Sequence, residues 1–458
     1  MIQFLPLGGA GEIGASCYYL NINGTGIILD CGMHPQKKGL DSLPDFNLLK
    51  DKPLDHVLIT HAHLDHLNSL PFLIKKFPYL KITTTPQTRA LAELTLHNTI
   101  SILKREISDE RFEIYSHDEV DLLIKSINYK SYEEEFYING FNRPDDEPIK
   151  VKFYDAGHIL GSAGIYLNYK GYKIFYTGDI NISSQTLLPG AQLPEGKINT
   201  LISETTYGAT DSSKIKVWQE EKDHFARSLN KVINSGGSVL IPVFSLGKMQ
   251  EIFATILLLM QKNKVTGTDI YSGGIAKKIT RAYDYNRFVV NYNQGELILH
   301  DSIQKDIRDV TNYDEFFKFP SIVLASSGML IQSTTSFNLA KRWLRQNGSA
   351  IFTVGYMDES TPGYKIAKAK KSDKIQLTES DKRREVKCDI INFNFSAHSK
   401  REELITITKR LNPESVILIH GEEEAINWMG NEILKRKKGT KVYAASRGKE
   451  ILFDLYNK

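Results

Sequence analysis

The stretch His61-Ala62-His63-Leu64-Asp65-His66 constrains this chain more than any other, because it sets four metal-ligating side chains within six residues. Capping a turn does not call for three histidines. Upstream, Val57-Leu58-Ile59-Thr60 is apolar and β-branched, as a strand running into the cluster would be. Downstream, Leu67-Asn68-Ser69-Leu70-Pro71-Phe72-Leu73-Ile74 begins a helical apolar spacing, which predicts a strand-to-helix turn at the cluster. In extended backbone His61 and His63 point the same way, and the turn brings Asp65 and His66 to a neighbouring position, giving two adjacent half-sites. Imidazole with carboxylate favours zinc, manganese or ferrous iron over magnesium alone. Six residues cannot complete two centres, so further histidines and acids must arrive from elsewhere.

At 458 residues the chain is long enough for two or three domains with ample core. Cys17, Cys31 and Cys388 are odd in number and lack C-x-x-C spacing, which argues against a disulfide framework or a cysteine zinc site and fits a reducing cytoplasm. Met1-Ile2-Gln3-Phe4 does not read as a signal peptide, and the longest apolar run, Ile252 to Met260, is too short to span a bilayer, so no membrane role is expected. A formal net charge of +4 permits a polyanionic partner without implying one.

Gly9, Gly11 and Gly14 form a G-x-G-x-x-G with Asp30 at the distance of a ribose-binding acid. A dinucleotide site needs a helix next, whereas Ser16 to Ile22 and Gly26 to Asp30 are β-rich and joined by Asn23-Gly24, so a glycine turn before a hairpin is the better reading. Thr84 to Leu96 has a proline-started helical pattern, helical character is expected to continue from Ile100 to about Gly140, and Arg143 to Pro148 reads as a surface turn. His97 and His117 stand alone there as surface or core histidines. Strands are then predicted before His158 (Val151 to Ala156), before Asp179 (Tyr172 to Thr177) and before Glu204 (Asn199 to Ser203), so each candidate stands at a strand end. Lys216 to Asn234 and Gly247 to Met260 read as helices. Gly236 to Pro242, Ile322 to Leu330 and Ala350 to Tyr356 read as buried parallel strands, a layered unit of their own. A basic run in that unit, with Lys365, Lys368, Lys370, Lys371 and Lys374 followed by Lys382, Arg383, Arg384 and Lys387, is a solvated face or a track for a nucleic-acid backbone. Asp389 to Ser399 contains Phe395-Ser396-Ala397-His398-Ser399. Ser415 to Ile419 leads into His420-Gly421-Glu422, and Val442 to Ala445 reads as a last strand.

The H-x-H-x-D-H cluster, the Leu29-Asp30-Cys31-Gly32 segment, and the later His158, Asp179, Glu204, Phe-Ser-Ala-His398 and His420 motifs resemble those of the metallo-β-lactamase fold, and within it the β-CASP RNA-processing nucleases. The resemblance spans essentially the whole chain. It implies an α/β fold, a metallo-β-lactamase αββα sandwich with an inserted α/β β-CASP domain, divided as 1–207, 208–390 and the return 391–458. It implies two Zn²⁺ ions (or Mn²⁺), one held by His61, His63 and His158 and the other by Asp65, His66 and His420, with Asp179 bridging, and Asp30 behind a ligand histidine, holding its free ring nitrogen. A bridging hydroxide would attack phosphorus and displace the 3′-oxygen, leaving a 5′-phosphate and a 3′-hydroxyl. His398 would act as general acid, oriented by Glu204. Ser396 and Ser399, with Lys370, Lys371, Arg383 and Arg384 of the basic run, are the candidate nucleic-acid contacts. Histidine at position 420 is similar to the RNA branch, and the glycine loop, Ser327-Gly328-Met329-Leu330 and Phe395-Ser396-Ala397-His398 resemble in particular the prokaryotic relatives of the endonuclease subunit of the mRNA 3′-end cleavage machinery. The implied partner is single-stranded RNA, the implied activity endonuclease with room for 5′-exonuclease action, and a homodimer is compatible. The rivals are a DNA nuclease of the same family and a small-molecule hydrolase of the same fold, although the latter would not need a second domain roofing the site with Glu204 and His398.

Overall fold

Ile149-Lys150-Val151-Lys152-Phe153-Tyr154-Asp155 alternates in character. In the computed structural model it is a strand that buries Ile149, Val151 and Phe153 and leaves Lys150, Lys152 and Tyr154 half-buried. That alternation is what a sheet with one face on a core requires. The structure describes residues 1–106, 112–142, 147–300, 302, 304–355 and 357–454. Two compact units divide it: Met1–Ser184, Gly190–Ser212 and His398–Lys458 form the first, and Gln185–Pro189 with Ser213–Ala397 the second. Segment 185–189, inside the first of the three expected sequence divisions, thus packs with the second unit.

The first unit is an αββα sandwich. One seven-stranded sheet runs in the order Ile451–Phe453, Ile2–Gly8, Cys17–Ile22, Thr25–Leu29, His56–Leu58, Lys81–Thr84, Asn128–Tyr129. The other runs Lys441–Ala444, Ser415–Ile419, Thr200–Glu204, Tyr172–Tyr176, Ala163–Tyr169, Ile149–Asp155, Phe136–Ile138. Phe4, Tyr18, Leu20, Ile27 and Leu58 from one sheet meet Val151, Phe153, Ile165, Ile202 and Ile417 from the other in one core. Helices Arg401–Leu411 and Glu423–Arg436 cover the outer face of the second sheet through Leu404, Ile407, Met429 and Ile433. The strands that matter for chemistry are parallel and end together: Leu29 sits opposite Leu58, and Glu204 opposite Ile419. Asp30, the 61–66 cluster and His420 all follow directly.

Gly32 is a point of close approach. A Cβ built there would lie 1.6 Å from the carbonyl oxygen of Asp65 and 2.5 Å from the nitrogen of His66. Main-chain bonds run across the same gap, Ser16 N–H to Asp65 O at 2.9 Å and Cys31 N–H to His66 O at 2.8 Å. A side chain at 32 would therefore push the metal-ligating turn away.

The second unit is doubly wound around a six-stranded parallel sheet in the order Gln304–Asp306, Asp269–Ser272, Ser321–Ala325, Val239–Pro242, Ala350–Thr353, Asp389–Asn392. Its central strands are buried along their whole length, because helices lie on both faces. Helix Lys248–Gln261 carries two buried charges. Glu251 accepts the main-chain N–H groups of Thr186 and Leu187, both at 2.8 Å, and of Leu188 at 3.1 Å. Lys248 Nζ donates to the carbonyl oxygen of Phe395. Burial pushes Glu251 up to about 7 against those three amides, and pushes Lys248 down to about 8.

The glycine loop is followed by the hairpin Cys17–Ile22 and Thr25–Leu29, as expected. Other expectations need correction. Helical character does not run through to 140: helices Pro86–Glu106 and His117–Ser126 are followed by strands Asn128–Tyr129 and Phe136–Ile138, since the β-rich ends of that stretch find sheet edges to join. Residues 143–146 of the expected turn and Tyr356 of the expected strand lie outside the described residues. Lys441–Ala444 is not the last strand, because Ile451–Phe453 pairs with Ile2–Gly8. His97 and His117 are not alone: their rings stack with Nδ1 atoms 2.7 Å apart, and His97 Nε2 meets Asp121 at 3.0 Å. The three cysteines are buried and free, and among the described residues no helix is long and apolar enough to cross a membrane.

Candidate metal centre

Strand His56–Leu58 delivers Thr60 and His61 to the sheet end, and His63 is the N-cap of the short helix Leu64–Leu67 that carries Asp65 and His66. Those two elements turn one hexapeptide into parts of two clusters. His61 Nε2 lies 3.2 Å from His63 Nδ1, and His158 Nε2 lies 3.1 Å from the same atom. Asp179 Oδ2 faces His61 at 3.5 Å and His158 at 3.6 Å. These four residues bring one ligand atom each close enough to share an ion. Asp65, His66 and His420 form a second such group, with His420 Nε2 at 3.3 Å and His66 Nε2 at 4.0 Å from Asp65 Oδ2. The other oxygen of Asp179, Oδ1, faces this group, at 3.2 Å from His66 Nε2 and 3.4 Å from His420 Nδ1. One carboxylate therefore looks both ways.

Hydrogen bonding behind the ligands fixes their tautomers. Asp30 is fully buried and accepts from Thr60 N–H at 2.7 Å, Thr60 O–H at 2.8 Å, Tyr176 O–H at 2.6 Å and His66 Nδ1–H at 2.8 Å. Thr60 Oγ1, its own proton given to Asp30, accepts from His61 Nδ1 at 2.9 Å. Both histidines thus turn Nε2 inward, toward the place a metal ion would take. Asp30 itself holds a left-handed backbone, φ 59°, which costs free energy at a non-glycine residue and is held by these bonds. Thr60 and Tyr176 carried no sequence signal of their own beyond ending the strands that deliver His61 and Asp179.

Burial, and then the neighbouring His66, hold His61 well below the ordinary histidine range, so its ring is neutral. Burial alone would protonate Asp179 and Asp65, but His66 and His420 outweigh it and keep both carboxyls ionised. Burial opposes protonation of His66, but Asp179, Asp30 and Asp65 push it well above the ordinary histidine range, so one imidazolium balances several carboxylates here and further positive charge is favoured. Asp179 Oδ1 is enclosed and makes no aligned hydrogen bond, and ring nitrogens of His61, His63 and His158 converge on one another. The donor set fits divalent cations of the zinc or manganese type.

A third set, Asp179, Glu204 and His398, also gathers ligand atoms. Here the acid is already occupied. Glu204 Oε1 accepts from Ile180 N–H at 2.8 Å, Oε2 from Thr206 N–H at 3.2 Å, and both oxygens lie within 3.2 Å of His398 Nδ1. The His398 ring stands 4.5 Å from that of His158, centroid to centroid. Glu204 and His398 both belong to the first unit; they are not a roof contributed by the second domain, because strand Thr200–Glu204 and the residues opening the C-terminal return carry them. Ser399 corrects another expectation: it is buried, and its hydroxyl accepts Ile182 N–H at 3.0 Å, so it braces the loop after Asp179 instead of facing a ligand. Ser396 is half-buried in the second unit, together with exposed Lys370, Lys371 and Arg383 and half-buried Arg384. Lys371 pairs with Asp389 at 3.5 Å and Arg384 with Asp381 at 3.6 Å.

Three family models match the chain. That of the metallo-β-lactamase superfamily covers residues 10–214, the β-CASP domain covers 249–366, and a Zn-dependent metallo-hydrolase RNA specificity domain covers 383–445. An RNase J-like protein of Methanocaldococcus jannaschii is 31% identical over 91% of this chain and 91% of its own length. Endoribonuclease YSH1 of Candida glabrata is 28% identical over 99% of this chain and 58% of its own. The chain spans about three-fifths of the length of the eukaryotic relatives it matches. A crystal structure of a protein from Enterococcus faecalis V583 shares the fold, with a TM-score of 0.58 and 14% identity over 99% of this chain and 100% of that one.

Proposed function

The chain belongs to the β-CASP branch of the metallo-β-lactamase superfamily, and on that premise we propose that it is a zinc-dependent endoribonuclease acting on single-stranded RNA. The observation that carries this reading is Asp179, with one carboxylate oxygen turned to each of two histidine groups. His61, His63 and His158 would hold one ion, Asp65, His66 and His420 the other, and Asp179 would touch both. When bound, the pair supplies Lewis-acid charge at the phosphoryl oxygens and an activated water as nucleophile.

This chain's own residues do the rest. Glu204 takes the Nδ1–H of His398, which leaves Nε2 to hand a proton to the departing 3′-oxygen. The backbone amides of Ile180 and Thr206 hold the Glu204 side chain in place, so the histidine cannot swing away. The products are a 5′-phosphate and a 3′-hydroxyl. RNA is favoured over DNA by the RNA specificity domain match at 383–445 and by a relative whose name is that of an endoribonuclease. The test is digestion of matched 5′-labelled and 3′-labelled RNA and DNA, with and without chelator, beside the Asp179→Ala protein. Internal RNA fragments from both labels, lost on chelation, are expected. Equal cutting of DNA, or cutting that survives metal removal, overturns the reading.

A further inference from the structure

Both sheets of the first unit end, on one side, in a short strand: Asn128–Tyr129 closes one and Phe136–Ile138 the other. Both strands line an open groove of ≈ 1270 Å³, more than the roughly 300–1,000 Å³ that a small-molecule pocket needs. Lys81, Arg89, Lys125 and Lys130 line it, and among the described residues none that lines it is acidic or a candidate metal ligand. Lys130 is matched by Glu134 at 2.6 Å. Among the described residues no carboxylate pairs with Lys81, Arg89 or Lys125. Of the acids beside the groove, Asp55 accepts the N–H groups of Phe141 at 2.6 Å and Gly26 at 2.8 Å, and Glu135 is met by Lys150 at 3.0 Å and Lys152 at 3.3 Å.

Three aromatic rings stand in this basic setting, with Tyr129 54%, Tyr137 56% and Phe141 37% exposed. Each has a cation near its face: Arg89 lies 5.4 Å from the Tyr129 ring, Lys150 6.0 Å from Tyr137 and Lys81 5.2 Å from Phe141. Rings alternating with cations are how proteins hold single strands without reading sequence, the cations taking phosphates and the rings stacking on bases. An acidic peptide would use the charges and leave the rings in water. A duplex would bring phosphates but hide its base faces.

We propose that this groove is a second RNA-binding site, in which Lys81, Arg89 and Lys125 hold the backbone of a single-stranded segment and Tyr129 and Tyr137 stack on its bases. The choice of RNA as occupant rests on the function proposed above, whereas the cation and ring arrangement stands without it. Such a site would retain long RNA and do nothing for a substrate too short to reach it.

The experiment is fluorescence anisotropy of a labelled single-stranded RNA of about 15 nucleotides with the full chain, in chelator so that nothing is cut. Tyr129→Ala with Tyr137→Ala should weaken binding about thirtyfold or more, and Tyr129→Phe with Tyr137→Phe, which keeps the rings, should restore it. Lys81→Ala with Lys125→Ala should lower the salt dependence of log K by about 1.4 for two phosphates lost. Hydrolysis of a small chromogenic phosphodiester by the metal-loaded variants should match the unsubstituted protein, which also shows that they fold. Affinity within about twofold for both variants, or displacement of the RNA by an acidic peptide as readily as by unlabelled RNA, overturns the proposal. If the small phosphodiester is not hydrolysed at all while the substitutions still release RNA, the catalytic reading falls and the groove stands.

Discussion

Each unit buries a charged cluster, and the two are solved in opposite ways. In the second unit Glu251 is met by three main-chain amides and Lys248 by a carbonyl, so the fold itself supplies every partner. In the first unit Asp179 Oδ1 is enclosed without an aligned partner and three imidazole nitrogens face one another. The difference teaches what a buried charge is for: one cluster is closed by the backbone and serves folding, and the other is left open to something from outside.

The largest expected effect tests the open cluster. Asp179→Ala should lower RNA cleavage by a factor on the order of 10³ or more and empty the metal from the protein by elemental analysis, yet leave the melting temperature of the metal-free chain unchanged or higher. A metal-free chain that unfolds early would break the contrast. Gly32→Ala should act on the same cluster through sterics, since the new methyl would collide with the Asp65 carbonyl; loss of metal with retained far-ultraviolet circular dichroism is the expected result, and normal metal content would refute the steric account.

Glu251→Ala probes the closed cluster. Leaving three amide donors without an acceptor should cost about 3 kcal/mol in denaturant unfolding, with metal content intact. Next in size is Asp30→Asn, which removes the acceptor that sets the tautomers behind His61 and His66 and should weaken metal binding about 10- to 100-fold, read by chelator competition.

The smallest effect is a pH slope. Glu251 sits at about 7 in the folded protein, above the ordinary carboxyl value. Its contribution to stability is therefore full in acid and is lost as pH rises through 7. Lys248 sits at about 8, below the ordinary lysine value, so its contribution is present in strong base and is lost as pH falls through 8. Stability attributable to the pair should dip between those values, with slopes of at most about 1.4 kcal/mol per pH unit. Glu251→Gln should flatten the acid-side slope and Lys248→Met the basic one; unchanged slopes would show that the main chain, not proton binding, sets the energetics here.

The two clusters were also unequally legible. His61, His63, Asp65, His66, His158, Asp179 and His420 are visible in sequence because each follows an apolar β-rich run, and a strand end is a place where a polar side chain has few structural duties. Glu251 was invisible: it sits in a helix whose apolar spacing reads as core, and its partners lie 63 to 65 residues away in a loop with no motif. The His97 and His117 contact was missed for a similar reason, since it joins residues 20 apart on two helices that periodicity describes one at a time. Strands Asn128–Tyr129 and Ile451–Phe453 are too short for alternation to register, and pairing alone defines them. Gly32 could be noticed by resemblance, but the reason for it, a backbone passing where a methyl would be, exists only in three dimensions.

His420 meets Asp65 across 355 residues of chain. On the ribosome the hexapeptide emerges early and can take up its turn, yet the second of its two groups stays open until the strand Ser415–Ile419 has cleared the exit tunnel and docked beside Thr200–Glu204. A nascent chain therefore carries half a centre at most until His420 has been made and its strand has docked.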